Sequence, residues 1–226
     1  MNIKGIDISH WNGKVDFKKV KESGIDFVII KAGGSDAGFY KDKMFETNYR
    51  EAKAAGLSVG AYYFVGKFFY GIVSGAADAE RFAKIISGKE FDYPVFLDVE
   101  TTDARYKELA TDAAIAFCET LEKKGYFVGI YASDISGYKE KLNHDRILDY
   151  THWVARYGNN PDVCRERDIW QYSSKGSVDG VSGSVDLDEA YTDFSKLIKE
   201  KGFNGYKKKD PESKVTKKGT KKKSEV

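Results

Sequence analysis

Short, almost unbroken apolar runs alternate along the chain with longer amphipathic stretches, in a fixed order. Residues 27–32 (FVIIKA) form a continuous, largely β-branched run of the kind found in a strand buried on both faces. Comparable runs at 3–9, 58–64, 95–99 and 127–132 predict further strands, the fourth of the five introduced by Pro94. Helices are predicted between them. One covers 16–23, with Asp16 as its N-terminal acid and Gly24 as its stop; another covers 48–55, ended by Gly56. A third covers 76–86, with Gly88 past its end. The fourth, 111–124, carries Thr111 as cap, Ala114, Phe117 and Leu121 at helical spacing, and Gly125 as its stop.

Five strand–helix units in this order predict a parallel α/β sheet, closed into a barrel or open. After residue 150 the pattern changes. Segments 152–155 and 168–172 are strand-like, 178–187 carries the turn signals VDG and VSG, and no long helix separates the three. A final helix is predicted over 190–201.

At 226 residues and 41% hydrophobic, the chain can bury a substantial core; a domain of this size hides roughly 70–75% of its unfolded surface. No apolar run reaches the ~18 residues a membrane-spanning helix needs. The start MNIKGIDISH lacks a charged region followed by an apolar one, so no secretory signal peptide is expected. Charge is uneven. Residues 207–226 hold nine lysines against Asp210, Glu212 and Glu225, a net of +6, which leaves 1–206 at −4 within the total of +2. Two domains follow from this: a folded body over 1–206 and a lysine-rich tail or linker over 207–226, expected to be disordered and able to lie near polyanions.

Cys118 sits in the apolar run AAIAFCETL and reads as a buried hydrophobe, whereas Cys164 lies in a charged, loop-like stretch. Two cysteines make no disulfide framework, and without CxxC spacing no metal site is expected. A zinc amidase or Cys–His peptidase would have to be built from His10, His144 and His152 alone. GGSDAG at 33–38 follows a strand but lacks the Walker lysine–serine pair and the Rossmann spacing, so no nucleotide cofactor is expected.

In a parallel barrel, function gathers at the C-terminal ends of the strands. Asp7 closes the first strand, Asp98 and Glu100 close the fourth, and Asp186 lies near the last. Residues i and i+2 of a strand share a face, about 6–7 Å apart, so Asp98 and Glu100 project together. Two neighbouring carboxylates in a concave site repel, which raises at least one pKa and leaves a protonated acid beside an ionised partner. Glycoside hydrolysis needs that division. A strand-end metal site or a solvated acidic edge is the alternative for an isolated DxE.

The ordered set GIDIS with His10–Trp11, IIKAGG, GAYYF, FLDVE, GIYAS, WVARY, IWQYS and SVDLDEAY resembles the glycoside hydrolase family 25 lysozymes from about residue 2 to 200. The resemblance implies an α/β fold, an irregular TIM-like barrel with five β/α units followed by three strands lacking regular helices. It implies hydrolysis of the β-1,4 bond between N-acetylmuramic acid and N-acetylglucosamine in peptidoglycan, with retention and without a cofactor. By position, Glu100 would be the general acid and later base. Asp98 would assist the substrate's 2-acetamido group, or attack directly. Asp7 and Asp186 would flank the pair, Asp188 being the weaker candidate of the two acids in VDLDE. Tyr62, Phe64, Tyr131, Trp153, Trp170 and Gln171 would contact the sugar.

Two departures stand out: Gly33 and Gly34 where many relatives carry an acidic residue, and Tyr63 where others have histidine. Both are expected to bear on sugar-subsite preference; Lys31 would then face a carboxylate or the wall peptide, or else pair with Asp7, which is the reading preferred. Peptidoglycan glycan strands are the expected partner, with anionic wall polymers reached through the tail and no specific nucleic acid. Without a signal peptide, the protein is expected to wait in the cytoplasm for holin-type release to the wall, as in a phage, or to leave by a non-standard route. A non-catalytic wall-binding barrel and a chitinase-like glycosidase are the competing readings.

Overall fold

β1 (Ile3–Ile8), β2 (Phe27–Gly34), β3 (Tyr40–Lys41), β4 (Ser58–Phe64), β5 (Val95–Asp98), β6 (Val128–Ser133), β7 (Thr151–Ala155), β8 (Ile169–Gly176) and β9 (Val185–Ala190) form one sheet in the computed structural model, which describes residues 2–208. Because β1 is hydrogen-bonded to both β2 and β9, the order β1-β9-β8-β7-β6-β5-β4-β2 closes on itself as a barrel, with β3 appended to β2. Six ladders are parallel; within the closed barrel only β9 runs against its neighbours β1 and β8, and the appended β3 runs against β2. The lysine-rich segment expected to be a disordered end lies, from residue 209 onward, outside the described residues.

α1 (Phe17–Glu22), α2 (Phe45–Ala54), α3 (Gly71–Ile86) and α4 (Lys107–Glu122) lie in the connections after β1, β3, β4 and β5. β6 is followed by a six-residue π-helix, Asp134–Lys139, and no α-helix separates β7, β8 and β9. The irregular barrel is therefore the fold, with its helices ending where the sequence pattern loses them. α2, α3 and α4 start earlier than predicted. Thr111 is not a cap: it is buried inside α4, donates to the Lys107 carbonyl at 2.8 Å and accepts from the backbone N–H of Asn143 at 2.8 Å. The last helix, α5 (Phe194–Lys201), begins at the Asp193 cap rather than at 190, because residues 185–190 are paired as a strand on both sides.

Strand alternation divides the apolar residues into two layers. Ile6, Val28, Ile30, Val59, Ala61, Leu97 and Ile130 point outward and pack with Phe82 of α3 and Phe117 of α4. Phe27, Ile29, Phe96, Trp153 and Ile169 fill the barrel. Bulky rings fit there because glycines lie beside them: Gly5 pairs with Phe27 and Gly129 with Phe96 in the ladders. A Cβ on Gly129 would come within 2.3 Å of the Phe96 ring. Phe194 of α5 packs on Tyr93 and Phe127, just before β5 and β6, so α5 closes the end of the barrel opposite the strand C-termini. Among the described residues, no helix is long and apolar enough to cross a membrane.

Candidate active site

The open rim collects the C-terminal ends of the parallel strands. β9 runs the other way, so its start, not its end, reaches that rim. Its register pairs Asp186 with Asp7, while Asp188 lies opposite Gly5, one inward position deeper. On β5 the alternation sends Phe96 and Asp98 inward. The ladder continues one residue further, through Val99 N–H to the Tyr131 carbonyl (3.0 Å), and that keeps Glu100 on the inner face. Asp7, Asp98, Glu100 and Asp186 thus line one cavity of about 300 Å³, together with Tyr62, Phe64, Tyr131, Trp153 and Gln171.

Depth separates the acids. Asp7 and Asp98 are buried, 6% and 4% exposed, whereas Glu100 is exposed at the rim. Burial, then the charge of Glu100, raises the Asp98 carboxyl well above its ordinary value, against the opposing pull of Lys31. Glu100 is raised by the atoms crowding its groove, with the Tyr131 hydroxyl, Lys31 and Lys141 acting against that. Asp7 is raised by burial and by Asp188 and Asp186. Asp188 is fully buried and pushed up to about 8, first by burial. A carboxyl group so placed retains a proton near neutrality.

A hydrogen-bond hub orders this floor. Gln171 donates through Nε2 to Asp7 at 2.6 Å, and its Oε1 accepts from the hydroxyls of Tyr131 and Tyr157, each at 2.9 Å. Trp153 sits below, 4.4 Å from the Tyr131 ring centroid and 5.2 Å from that of Phe96. Asp98 Oδ1 is buried without a hydrogen-bond partner among the described residues, which leaves an unsatisfied oxygen on a residue of the cavity wall. Beyond Glu100 a second lobe of about 420 Å³ opens, walled by Ser133, Asp134, Arg156 and Tyr157. Glu100, Tyr131 and Tyr157 border both lobes, so the rim acid stands at their junction.

Several expectations are corrected. Trp170 is not in the cavity: its neighbours Ile169 and Gln171 point inward, so its ring lies outside the barrel, with Nε1 donating to the Arg156 carbonyl at 2.9 Å and Arg167 over its face. Lys31 makes no ion pair with Asp7 among the described residues; its Nζ lies 4.3 Å from the Phe64 ring centroid. Tyr63 faces α3, donating to Asp78 at 3.2 Å between Phe82 and Phe117, and so cannot set a sugar subsite. Gly33 and Gly34 answer to backbone crowding, since a Cβ would meet the Tyr40 carbonyl at 2.3 Å or the Phe64 carbonyl at 2.5 Å. Lys31, Trp11 (84% exposed at the mouth) and Tyr157 line the cavity beyond the residues expected there, and Asp188, the weaker candidate, lies fully buried beneath it. Asp188 was legible as the i+2 partner of Asp186, but its depth was not.

His10 is held at the mouth, Nδ1 2.6 Å from Asp42. His144, His152 and Cys164 come together elsewhere, outside the barrel wall. Cys118 and Cys164 are both buried and free.

The family model for Glycosyl hydrolases family 25 matches residues 6–181. The autolytic lysozyme of Clostridium acetobutylicum is 37% identical over 188 residues, covering 83% of this chain and 55% of that protein, so the chain spans just over half of that relative's length. The crystal structure of the CTP1L endolysin superposes with a TM-score of 0.77 at 34% identity, over 88% of this chain and 70% of the other. That of the lysozyme from Streptomyces coelicolor gives a TM-score of 0.73 at 28% identity, over 87% and 95%. With its barrel matched from the first strand to the turn before the last, this chain belongs to glycosyl hydrolases family 25.

Proposed function

We propose that the chain is a peptidoglycan hydrolase, a lysozyme cleaving the β-1,4 bond between N-acetylmuramic acid and N-acetylglucosamine with retention. The carrying observation is the division between Asp98, buried with an open acceptor, and Glu100, exposed where the two lobes meet. A glycan strand lying through both lobes presents a glycosidic oxygen to Glu100. Protonated Glu100 donates to that oxygen as the C1–O bond breaks, and the substrate's acetamido oxygen closes on C1 from the opposite face. Asp98 accepts the acetamido N–H and balances the positive charge, in the ionised form that Lys31 and the developing charge favour against the effect of burial. Glu100, now ionised, takes a proton from the water that opens the ring intermediate, and two inversions leave the configuration retained. Asp7 and Asp186 hold the pair's proton affinity, while Tyr62, Phe64 and Tyr131 offer apolar faces to the pyranose.

The test is Glu100→Gln on purified cell walls, followed by mass spectrometry of the released fragments. Activity should fall about 10²–10⁴-fold, the range for loss of a general acid, with circular dichroism unchanged. Fragments from the parent enzyme should carry muramic acid at the new reducing end. Near-normal clearing by the variant would remove Glu100 from the role, and glucosamine at the reducing end would assign a different glycosidase.

A further inference from the structure

The geometry points to a transition-metal site outside the barrel wall, formed by His144, His152 and Cys164 and suited to a zinc-like ion. Three separate stretches supply it. His144 lies in the short 3-10 helix His144–Arg146 between β6 and β7, His152 is the outward-facing second residue of β7, and Cys164 lies in the loop to β8. One ring nitrogen of each histidine and the Cys164 sulfur all lie within 4.8 Å of one another. A tetrahedral zinc ion with Zn–N near 2.0–2.1 Å and Zn–S near 2.3 Å holds such atoms about 3.3–3.6 Å apart, so metal binding would draw the three side chains together.

The surroundings already resemble the outer shell of a metal site. His152 has Nε2 3.1 Å from the Ile147 carbonyl, and a proton on that nitrogen leaves Nδ1 with a free lone pair. His144 Nε2 is buried with no hydrogen-bond partner among the described residues, a cost a bound cation would remove. The Cys164 loop is positioned by Asp134, whose carboxylate accepts from the backbone N–H groups of Asp162, Val163 and Cys164 at 2.8, 3.0 and 3.1 Å. Burial lowers His152 to about 4, so it is neutral at pH 7 and able to ligate. Burial also lifts the Cys164 thiol to about 12, so binding must release its proton to solvent as the metal–sulfur bond forms. Two imidazoles and a thiolate favour zinc or cobalt over calcium or magnesium, with water as the fourth ligand. Asp134 also walls the second lobe of the groove, so a filled site would fasten that wall to β7.

The experiment titrates the 226-residue chain with Co²⁺ and then Zn²⁺, following absorbance, proton release and melting temperature. The expected result is a thiolate-to-cobalt charge-transfer band saturating at one equivalent, erased by zinc. At zinc about 100-fold above its dissociation constant, melting should rise by about 5–10 °C. Cys164→Ser should abolish the band, and His144→Ala should weaken binding by on the order of 100-fold or more, beyond the loss typical of an outer-shell change. Cys118→Ser serves as the thiol control and should titrate like the parent. No thiolate band in the folded parent, or unchanged titration in folded Cys164→Ser and His144→Ala, overturns the site and leaves the cluster as ring packing with Tyr138. Binding lost instead in Asp98→Asn would place the ion among the barrel acids and overturn it equally.

Discussion

The indole of Trp153 donates through Nε1 to Asp188 Oδ1 at 2.8 Å, tying β7 to β9 beneath the rim acids. Asp188 Oδ2 has no partner among the described residues. A deeply buried carboxyl group is tolerable there because one oxygen is satisfied by the indole and the charge is suppressed by a retained proton.

That retained proton makes stability pH-dependent. A carboxyl group raised on folding binds its proton in the native state at pH values where the unfolded chain has released it. The contribution of Asp188 to stability is therefore largest at low pH and falls as pH climbs from about 4 through about 8, the interval between its ordinary value and its value in the fold. Asp188→Asn imitates the protonated form and keeps an oxygen for the indole. Thermal melts of this variant should show a flatter decline over that interval and a higher melting temperature than the parent at pH 8. An unchanged slope would mean that Asp188 is ionised in the folded protein.

Lys31 lowers the proton affinity of both Asp98 and Glu100 from its place over Phe64. Replacing it by methionine keeps the apolar stem and removes the charge, so both carboxyl groups should bind protons more tightly. On the proposed mechanism the acid limb of kcat/KM reports ionised Asp98 and the alkaline limb protonated Glu100, so both should move to higher pH. A profile measured on cell walls that stays in place, or moves down, would show that Lys31 does not act on the pair.

Gln171 satisfies three groups at once, so Gln171→Leu should strand the Asp7 carboxyl and two tyrosine hydroxyls. A loss of about 1–3 kcal/mol is expected in denaturant unfolding. Activity should fall further than stability, because Tyr131 and Asp7 line the cavity with Asp98 and Glu100, the pair proposed to react.

Gly129→Ala would drive a methyl group into the Phe96 ring at 2.3 Å, in the layer that supports Asp98. Overpacking of this kind costs about 1–3 kcal/mol or more. Phe96→Leu should recover part of that loss in the double variant. Additive destabilisation in equilibrium unfolding would show that the ring is not what Gly129 accommodates.

Much of the fold was legible in local pattern. FVIIKA reads as a strand buried on both faces because the helices and the barrel interior each require an apolar surface, and β2 is such a strand. The disappearance of helical spacing after residue 150 likewise foretold bare strands on one side. Asp98 and Glu100 were legible as a pair because a strand repeats every two residues. The sequence by itself also named Trp170 and Gln171 together, yet adjacent strand residues cannot share a face; β8 turns Gln171 onto Asp7 and puts Trp170 against Arg156. Tertiary structure alone decided that β9 enters antiparallel, which brings Asp186 to the rim and sinks Asp188. It alone assembled His144, His152 and Cys164, whose separations in the chain follow no ligand spacing. Periodicity reports which way a side chain points from its own backbone. Which other chain segment it meets depends on barrel closure and register, and these are set by contacts distant in sequence.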